Sequence, residues 1–523
     1  MNLAKALVDE HVVEGRGDRT AIVCDDRRLS YRDLQALVNR TGNALWSLGV
    51  EPEQRVALLL PDVPEFIATF VGAVKIGAVA VPCNTLLKAD ELAYILNHSR
   101  ARVLVAHLAL MGEVRKARPA LRRLDKVLVL GRPEADELDF AETVARFSDE
   151  LEAEAVDPED EALWAYSSGS TGAPKAAVHS HHNLQMASRI FPDAVLSISP
   201  EDRSFAVPKL FFTFGLGVSM YIPLAAGSTT ILNPRPPDPE GVLRILHRER
   251  PTLFYAVPTF YARMLQVPNV TRRFDLSSIR ICIAGGEPLA PEVFRRCRET
   301  FGLEVLEGIG SSEALMYYLV NRPGRARPGS CGQAVPGYTF RLVGEDGNDV
   351  PAREPGILAI HGPTLLHHYA RRPEATRGAL QGEWFLSGDM FRRDADGYYW
   401  FQGRKDDLLK VAGAWVSPAE VEAVLMGHAA VLECAVVGAP DALGTTRPKA
   451  FVVLRPDVTA GAGLPGEIIA FTKERLAPYK VPRWVEFVPE LPKTSTGKTQ
   501  RFKLRAGPSL ASPSPPEGGR GEG

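Results

Sequence analysis

The segment richest in chemistry is YSSGSTGAPK, residues 166–175, set between the apolar run ALWA and AAVHS. Gly169 and Gly172 let the backbone curl so that successive N–H groups converge. Ser167, Ser168, Ser170 and Thr171 add hydroxyls, and Lys175 adds a cation. That combination cradles polyphosphate oxygens; the plain alternative is a Gly/Ser turn joining two strands of a hairpin. A second segment, PKTSTGKTQR at 492–501, imitates a Walker loop, but the glycine required five positions before the Gly-Lys pair is replaced by Pro492. What is left is Lys498 on a Gly-containing turn near the end of the chain, where a small domain can present a cation to a larger one. The alternative there is a solvated basic segment.

Lysine placement sharpens both readings. Between Val127 and Arg404 the only lysines are Lys175 and Lys209, although arginines are plentiful. A compact ammonium contacts a crowded phosphate differently from a planar guanidinium. Lys209 lies in PKLFFTFGLG (208–217), whose Phe211, Phe212 and Phe214 read as core before they read as pocket. His179, His181 and His182 imitate a metal cluster, but with no carboxylate or Cys beside them they read as a helix entry. His367 and His368 read as a solvated turn.

Alternating elements must position these groups. Ser30 caps a helix with Leu34, Leu37, Val38, Leu45 and Leu48 on one face, and RVALLL (55–60) follows as a buried strand. Helix near 63–76, strand 78–81, helix 90–97 and strand 102–106 repeat the pattern, which predicts a parallel sheet with crossover helices. Further strands at 252–257, 279–284 and 303–307 each run into a turn, and ligands bind beyond such strand ends. From about 330 to 400 the pattern changes to hairpins, as in RLVGEDGNDVP and DADGYYWFQGR. After residues 405–407 comes an α+β unit: helix near 417–426, strands 431–437 and 449–454, helix near 466–476. Twelve of the last 18 residues are Gly, Pro or Ser, too little apolar surface to offset ordering, so 506–523 is expected to be disordered. The fold class is therefore α/β: a large N-terminal domain of α/β sheets plus a β-rich subdomain (1–405), and a small α+β C-terminal domain (406–505).

Composition excludes more than it names. The 63 acidic and 61 basic side chains leave a net charge of -2, which offers nucleic acid nothing to neutralise it. Six cysteines without C-x-x-C spacing suit a reducing compartment and argue against disulfides and thiolate metal sites. The N-terminus has no signal-like apolar run, and the longest apolar stretch, 66–81, is interrupted by Lys75. A cytoplasmic protein with no membrane partner is expected.

The order of YSSGSTGAPK, AGGEPL (284–289), GIGSSEA (308–314), FLSGD (385–389), GRKDDLLKVAGAWVSPAEVE (403–422) and PKTSTGKTQR resembles that of the ANL adenylating enzymes over about residues 1–505. That family contains acyl-CoA synthetases, nonribosomal adenylation domains and luciferases. KLFFTFGLG with EGIGSSEA is similar to its benzoate-CoA ligase branch. The resemblance implies that a carboxylate attacks the α-phosphate of ATP to give an acyl adenylate and pyrophosphate, after which a thiol displaces AMP. It implies Lys498, Glu313 and Lys175 as catalytic groups and Mg²⁺ held by Thr171 and Glu313. ATP or AMP would contact Ser167, Ser168, Gly169, Ser170, Thr171 and Gly172, with Gly286, Glu287 and Pro288 beside the base. Glu307 and Ile309 would lie around its ring, Gly308, Gly310, Ser311 and Ser312 would also contact the nucleotide, and Asp389 and Arg404 would meet the ribose. Asp406 would be the hinge of a mobile C-terminal domain, with Lys410 and Gly413 along the CoA tunnel. Two anions must meet in such a reaction, and unit charges about 4 Å apart interact by about 4 kcal/mol at an effective dielectric near 20, so cations belong where charge concentrates.

The resemblance places the acyl pocket at Phe212, Thr213, Phe214, Gly215, Gly285, Ile309 and Met316. Flat apolar walls with glycine gaps suit an aromatic ring. Neither Thr213 nor Phe214 offers the acid that amino-acid-activating relatives place in this loop. Ser312 and Met316 depart from the branch's Thr and His, and the loss of a polar wall at 316 makes room for a substituted ring such as 2-aminobenzoate. The expected activity is an ATP-dependent aryl-CoA ligase. The alternatives are a free-standing enzyme loading a carrier protein in trans and, from another class, a non-catalytic nucleotide-binding module.

Overall fold

The computed structural model describes residues 2–167, 173–344, 346–351, 353–411, 414–441, 444–493 and 499–505, without the side chains of Asp406, Ala414 and Trp415. The chain divides into two compact units, Met1–Lys405 and Asp406–Gly523. Residues 506–523 lie outside the described residues.

Local chemistry sets the first elements. The Ser30 hydroxyl accepts from the Asp33 N–H at 3.1 Å while the Asp33 carboxylate accepts from the Ser30 N–H at 2.9 Å, a reciprocal cap that starts the helix Tyr31–Ser47. The next helix, Pro64–Lys75, is buried along its whole length. A Cβ on Gly72 would sit 3.0 Å from the Gly42 nitrogen, so the two helices cross almost backbone to backbone. Lys75, the charge interrupting the apolar stretch, is buried with its ammonium 2.7 Å from both Asp9 and Asn39. No helix among the described residues is long and apolar enough to cross a membrane.

Two large mixed sheets build the first unit. One has eight strands, with Arg55–Leu59, Val79–Pro82, Val103–His107 and Lys126–Leu130 running parallel, as the alternating pattern predicts. It also carries Glu161–Ser167 and Lys175–Ser180, which pair antiparallel with Ser167 opposite Lys175. The flanks of the Gly/Ser segment are thus a hairpin, and the cradle and hairpin readings are not exclusive. The other sheet has nine strands, and its parallel centre includes Leu253–Ala256, Ile281–Ala284 and Val305–Gly310. The strand Tyr317–Val320 folds back antiparallel on the last of these.

The hairpin-rich stretch forms a five-stranded antiparallel sheet in which Trp384–Arg393 pairs with Tyr399–Arg404. His367 and His368 correct the turn reading. His368 and Tyr369 form a strand against Val178 and Ala177, and the His367 N–H donates to the Val178 carbonyl at 2.9 Å.

The second unit has a three-stranded sheet, Val431–Pro440, Thr446–Leu454 and Trp484–Phe487, with helices Pro418–Leu425 and Leu464–Lys473. Val421, Leu425, Val436, Val452 and Ile468 share its core. Lys493 and Thr499 bridge, and Arg501 holds Glu422 at 2.8 Å, so the base of the Lys498 segment is tied to this core.

Candidate functional site

Strand pairing brings three groups of distant sequence position together. Lys175 opens its strand and Tyr369 lies on the neighbouring short strand, so the Lys175 ammonium sits over the Tyr369 ring, 4.6 Å from its centroid. The Tyr369 O–H donates to Glu313 Oε1 at 2.8 Å. Burial, then the Glu313 charge, push the Tyr369 hydroxyl far above the usual tyrosine range, so it remains a donor. The Leu366 N–H donates to the Glu313 carbonyl at 2.7 Å, which fixes the backbone of that acid. Nothing in the composition around HHYARRP singles out Tyr369; the only signal was its place in a segment read as a turn.

The chain before Glu313 is held from below by histidine. His179 is buried and its ring, pushed down to about 4 by burial, is neutral; Nε2–H donates to the Ser312 carbonyl at 2.7 Å. His181 is also held down to about 4 by burial and accepts the Leu3 N–H on Nδ1. The H-x-H-H run is therefore structural. Among the described residues no cluster of three or more His, Cys, Asp or Glu exists to hold a metal. Glu313 still fits Mg²⁺, which takes one or two carboxylates plus substrate phosphates and not a protein cage. Tyr369 uses only one of its lone-pair sites.

The strand Val305–Gly310 carries Glu307, Gly308 and Ile309 to the same end of the sheet, followed by Ser311, whose buried hydroxyl has no partner among the described residues. Glu307 is buried, and desolvation pushes its carboxyl up to about 8 against the opposing help of the Leu289 N–H and the Cys331 thiol. It is a neutral acid near pH 7. Next to it, Ile281–Ala284 ends in the turn of Gly285, Gly286, Glu287 and Pro288. Gly286 has φ +87°, a conformation that explains glycine there.

Asp389 and Arg404 face each other across the third sheet, with Arg404 Nε 3.5 Å from Asp389 Oδ1. Gly388 before them, at φ +71°, makes the turn that lets the Ser387 hydroxyl receive the Asp389 N–H at 3.1 Å. Asp389 and Arg404 are thus brought together, as the ribose expectation requires.

Around the expected acyl pocket, Phe212 precedes the short helix Thr213–Leu216. The Thr213 hydroxyl lies 3.3 Å from that of Ser312, linking the aromatic loop to the Glu313 segment. Gly215 is packed on the Lys209 carbonyl so closely that no Cβ fits. Phe214 meets Tyr317 edge-on at 5.5 Å, and Ile309 packs at the margin of the main core. Met316 is buried with its sulfur at the empty side of Gly217. Lys209 is structural: its ammonium donates to the Asn233 and Arg235 carbonyls and pairs with buried Asp62 at 3.5 Å.

Ser167 is the last residue of its strand, whereas Ser168, Gly169, Ser170, Thr171 and Gly172 lie outside the described residues, as do Gly413 and Lys498. Lys410 lies on the strand Leu409–Val411 of the second unit, just after Asp406.

Two family models match the chain: AMP-binding enzyme over residues 9–370 and AMP-binding enzyme C-terminal domain over residues 420–498. A benzoate–CoA ligase of Thauera aromatica is 42% identical over 507 residues, covering 97% of this chain and 96% of that protein. A 3-hydroxybenzoate–CoA ligase of an Aromatoleum species is 38% identical, covering 97% and 96%. Among solved structures, the anthranilate CoA ligase AuaEII in complex with anthranoyl-AMP superposes with a TM-score of 0.93 at 40% identity, covering 97% of each chain.

Proposed function

The chain belongs to the AMP-binding enzyme family, and on that premise we propose that it is an ATP-dependent aryl-CoA ligase. It converts benzoate or a substituted benzoate, such as 2-aminobenzoate, to the aryl adenylate and then transfers the aroyl group to the thiol of CoA, releasing AMP. The observation that carries this reading is similarity along the whole chain to ligases named for benzoate, hydroxybenzoate and anthranilate.

The residues support distinct roles. Lys175, held on the Tyr369 ring, binds the β- and γ-phosphates together with Ser170 and Thr171, and Ser167, Ser168, Gly169 and Gly172 contact the nucleotide. Glu313, with Thr171 beside it, would hold Mg²⁺, which when bound would supply charge neutralisation to the phosphates. Tyr369, by occupying Glu313 Oε1, orients the carboxylate toward the metal side. Gly286, Glu287, Pro288 and neutral Glu307 take the base, and Asp389 with Arg404 takes the ribose hydroxyls. Phe212, Thr213, Phe214, Gly215, Gly285, Ile309 and Met316 form the wall against the aromatic ring. The second unit supplies Lys498 to bridge carboxylate and α-phosphate, pivots at Asp406, and brings Lys410 and Gly413 to the pantetheine arm.

The test is acid-dependent pyrophosphate exchange over a panel of benzoates, repeated as AMP release with and without CoA. Exchange with an aryl acid and CoA-dependent AMP release are expected. Exchange without any stimulation by CoA would move the acceptor to a carrier protein.

A further inference from the structure

Asp62 lies between the strand Arg55–Leu59 of the eight-stranded sheet and the helix Pro64–Lys75, and it is 3% exposed. Its carboxylate holds two consecutive residues of the segment that leads into the aromatic loop. Oδ1 accepts the Leu210 N–H at 2.9 Å, and Oδ2 stands 3.5 Å from the Lys209 ammonium. The same ammonium donates to the carbonyls of Asn233 at 2.5 Å and Arg235 at 2.8 Å, just beyond the strand Thr229–Leu232 of the nine-stranded sheet. One lysine thus ties together strand ends of both sheets. Burial pushes the Asp62 carboxyl up, and the Lys209 charge is the largest influence holding it down.

A buried ion pair is a poor source of stability. Taking two charges out of water cancels most of their mutual attraction, and apolar residues of similar volume often do as well. The chain that follows gives this pair another purpose. The Lys209 carbonyl accepts the Phe212 N–H at 3.0 Å, and the Phe212 carbonyl accepts the Leu216 N–H at 2.7 Å. A Cβ on Gly215 would come within 2.1 Å of the Lys209 carbonyl oxygen. The turn carrying Phe212, Thr213, Phe214 and Gly215 is therefore built directly on residue 209, with no room to slide over it.

We propose that Asp62 and Lys209 are positioning residues for recognition of the aromatic acid: their pair pins residues 209 and 210 between the two sheets and so sets where Phe212–Gly215 stand against the ring. This rests on the aryl-CoA ligase reading. Misplacement by about 1 Å, caused far from the chemistry, can cost about 10²-fold. Here it falls on the acid and not on the nucleotide, because Lys175, Glu313 and Asp389 are held by other elements.

The experiment measures pyrophosphate exchange, with the KM for ATP and for each of a panel of benzoates, in the wild type, in Asp62→Asn and in the double variant Asp62→Asn with Lys209→Met. Asparagine keeps an oxygen for the Leu210 N–H but no charge for Lys209, and the double variant leaves no uncompensated ion. Both variants should raise the KM for the preferred aryl acid about tenfold or more and change the ranking of ring-substituted acids, while the KM for ATP stays within about twofold. Thermal melts establish that each variant is folded, and the double variant carries the test where the single one is not. An unchanged KM for the acid, an equal rise for acid and ATP, or loss of the fold in both variants assigns the pair to stability alone and overturns the proposal, leaving the ligase reading standing. A wild type that exchanges with no aryl acid at all overturns both.

Discussion

At the scale of single residues, burial keeps two acids protonated, one as a donor to a charged partner and one as a neutral carboxyl. The Tyr369 hydroxyl is kept protonated so that it can donate to a carboxylate, and a hydrogen bond to a charged group contributes about 1.5–3 kcal/mol. Tyr369→Phe keeps the ring under Lys175 but releases Glu313. Its kcat/KM for ATP is expected to fall roughly tenfold or more, with a raised Mg²⁺ requirement and a modestly lowered melting temperature; steady-state kinetics at varied Mg²⁺ and a thermal melt check it. Glu307 is the second case, a carboxyl held neutral by burial. The folded protein keeps its proton up to about pH 8, whereas an unfolded chain loses it near 4.5, so unfolding releases a proton between those values. That group's contribution to stability therefore declines as pH rises from about 4.5 to about 8 and is level above. Glu307→Gln lacks this slope. The difference in melting temperature, variant minus wild type, should grow between pH 5 and pH 8; a difference constant with pH would show that Glu307 does not titrate in this way.

At the scale of elements, close packing of strand ends positions these residues, and it can be broken by one methyl group. Gly310 pairs with Tyr317 across the ladder, and a Cβ there would run into the Met316 carbonyl. Gly310→Ala should cost about 1–3 kcal/mol through overpacking, lowering the melting temperature and the activity together. Gly112, in the helix Met111–Ala117 with nothing near its absent Cβ, is the contrast: Gly112→Ala should be neutral or stabilising by about 0.5–1 kcal/mol. Thermal melts of the pair settle it. The periodic elements were legible in sequence because their causes are local: the Ser30 cap, the alternating apolar runs, the turn residues after each strand. The Lys175, Tyr369 and Glu313 contact was not, because it depends on pairing a two-residue strand at 368–369 with one at 175–180, and register across such distance leaves no local trace. The protonation of Glu307 was hidden for a related reason: its carboxyl is buried beside Cys331, and no local pattern announces that burial.

At the scale of the whole molecule, the boundary between Lys405 and Asp406 separates the groups proposed to clasp a nucleotide from the lysine expected to complete the reaction. Adenylation brings a carboxylate against a triphosphate and needs an added cation at the point of attack. Thiol transfer attacks the uncharged carbonyl of the acyl adenylate, whose phosphate carries a single negative charge, and needs less added cation at the point of attack. The two steps should therefore respond differently to loss of the same charge. Lys498→Ala is expected to lower pyrophosphate exchange about 10²- to 10³-fold, in keeping with removal of one electrostatic stabiliser of a transition state. The same variant, given preformed aroyl adenylate and CoA, should still make thioester at close to the wild-type rate. Lys175→Ala provides the control: on the proposed assignment it acts on the β- and γ-phosphates, and its loss should raise the KM for ATP while sparing the second step. Equal loss of both half-reactions in Lys498→Ala would mean that this lysine holds the C-terminal unit together and does not serve one step alone.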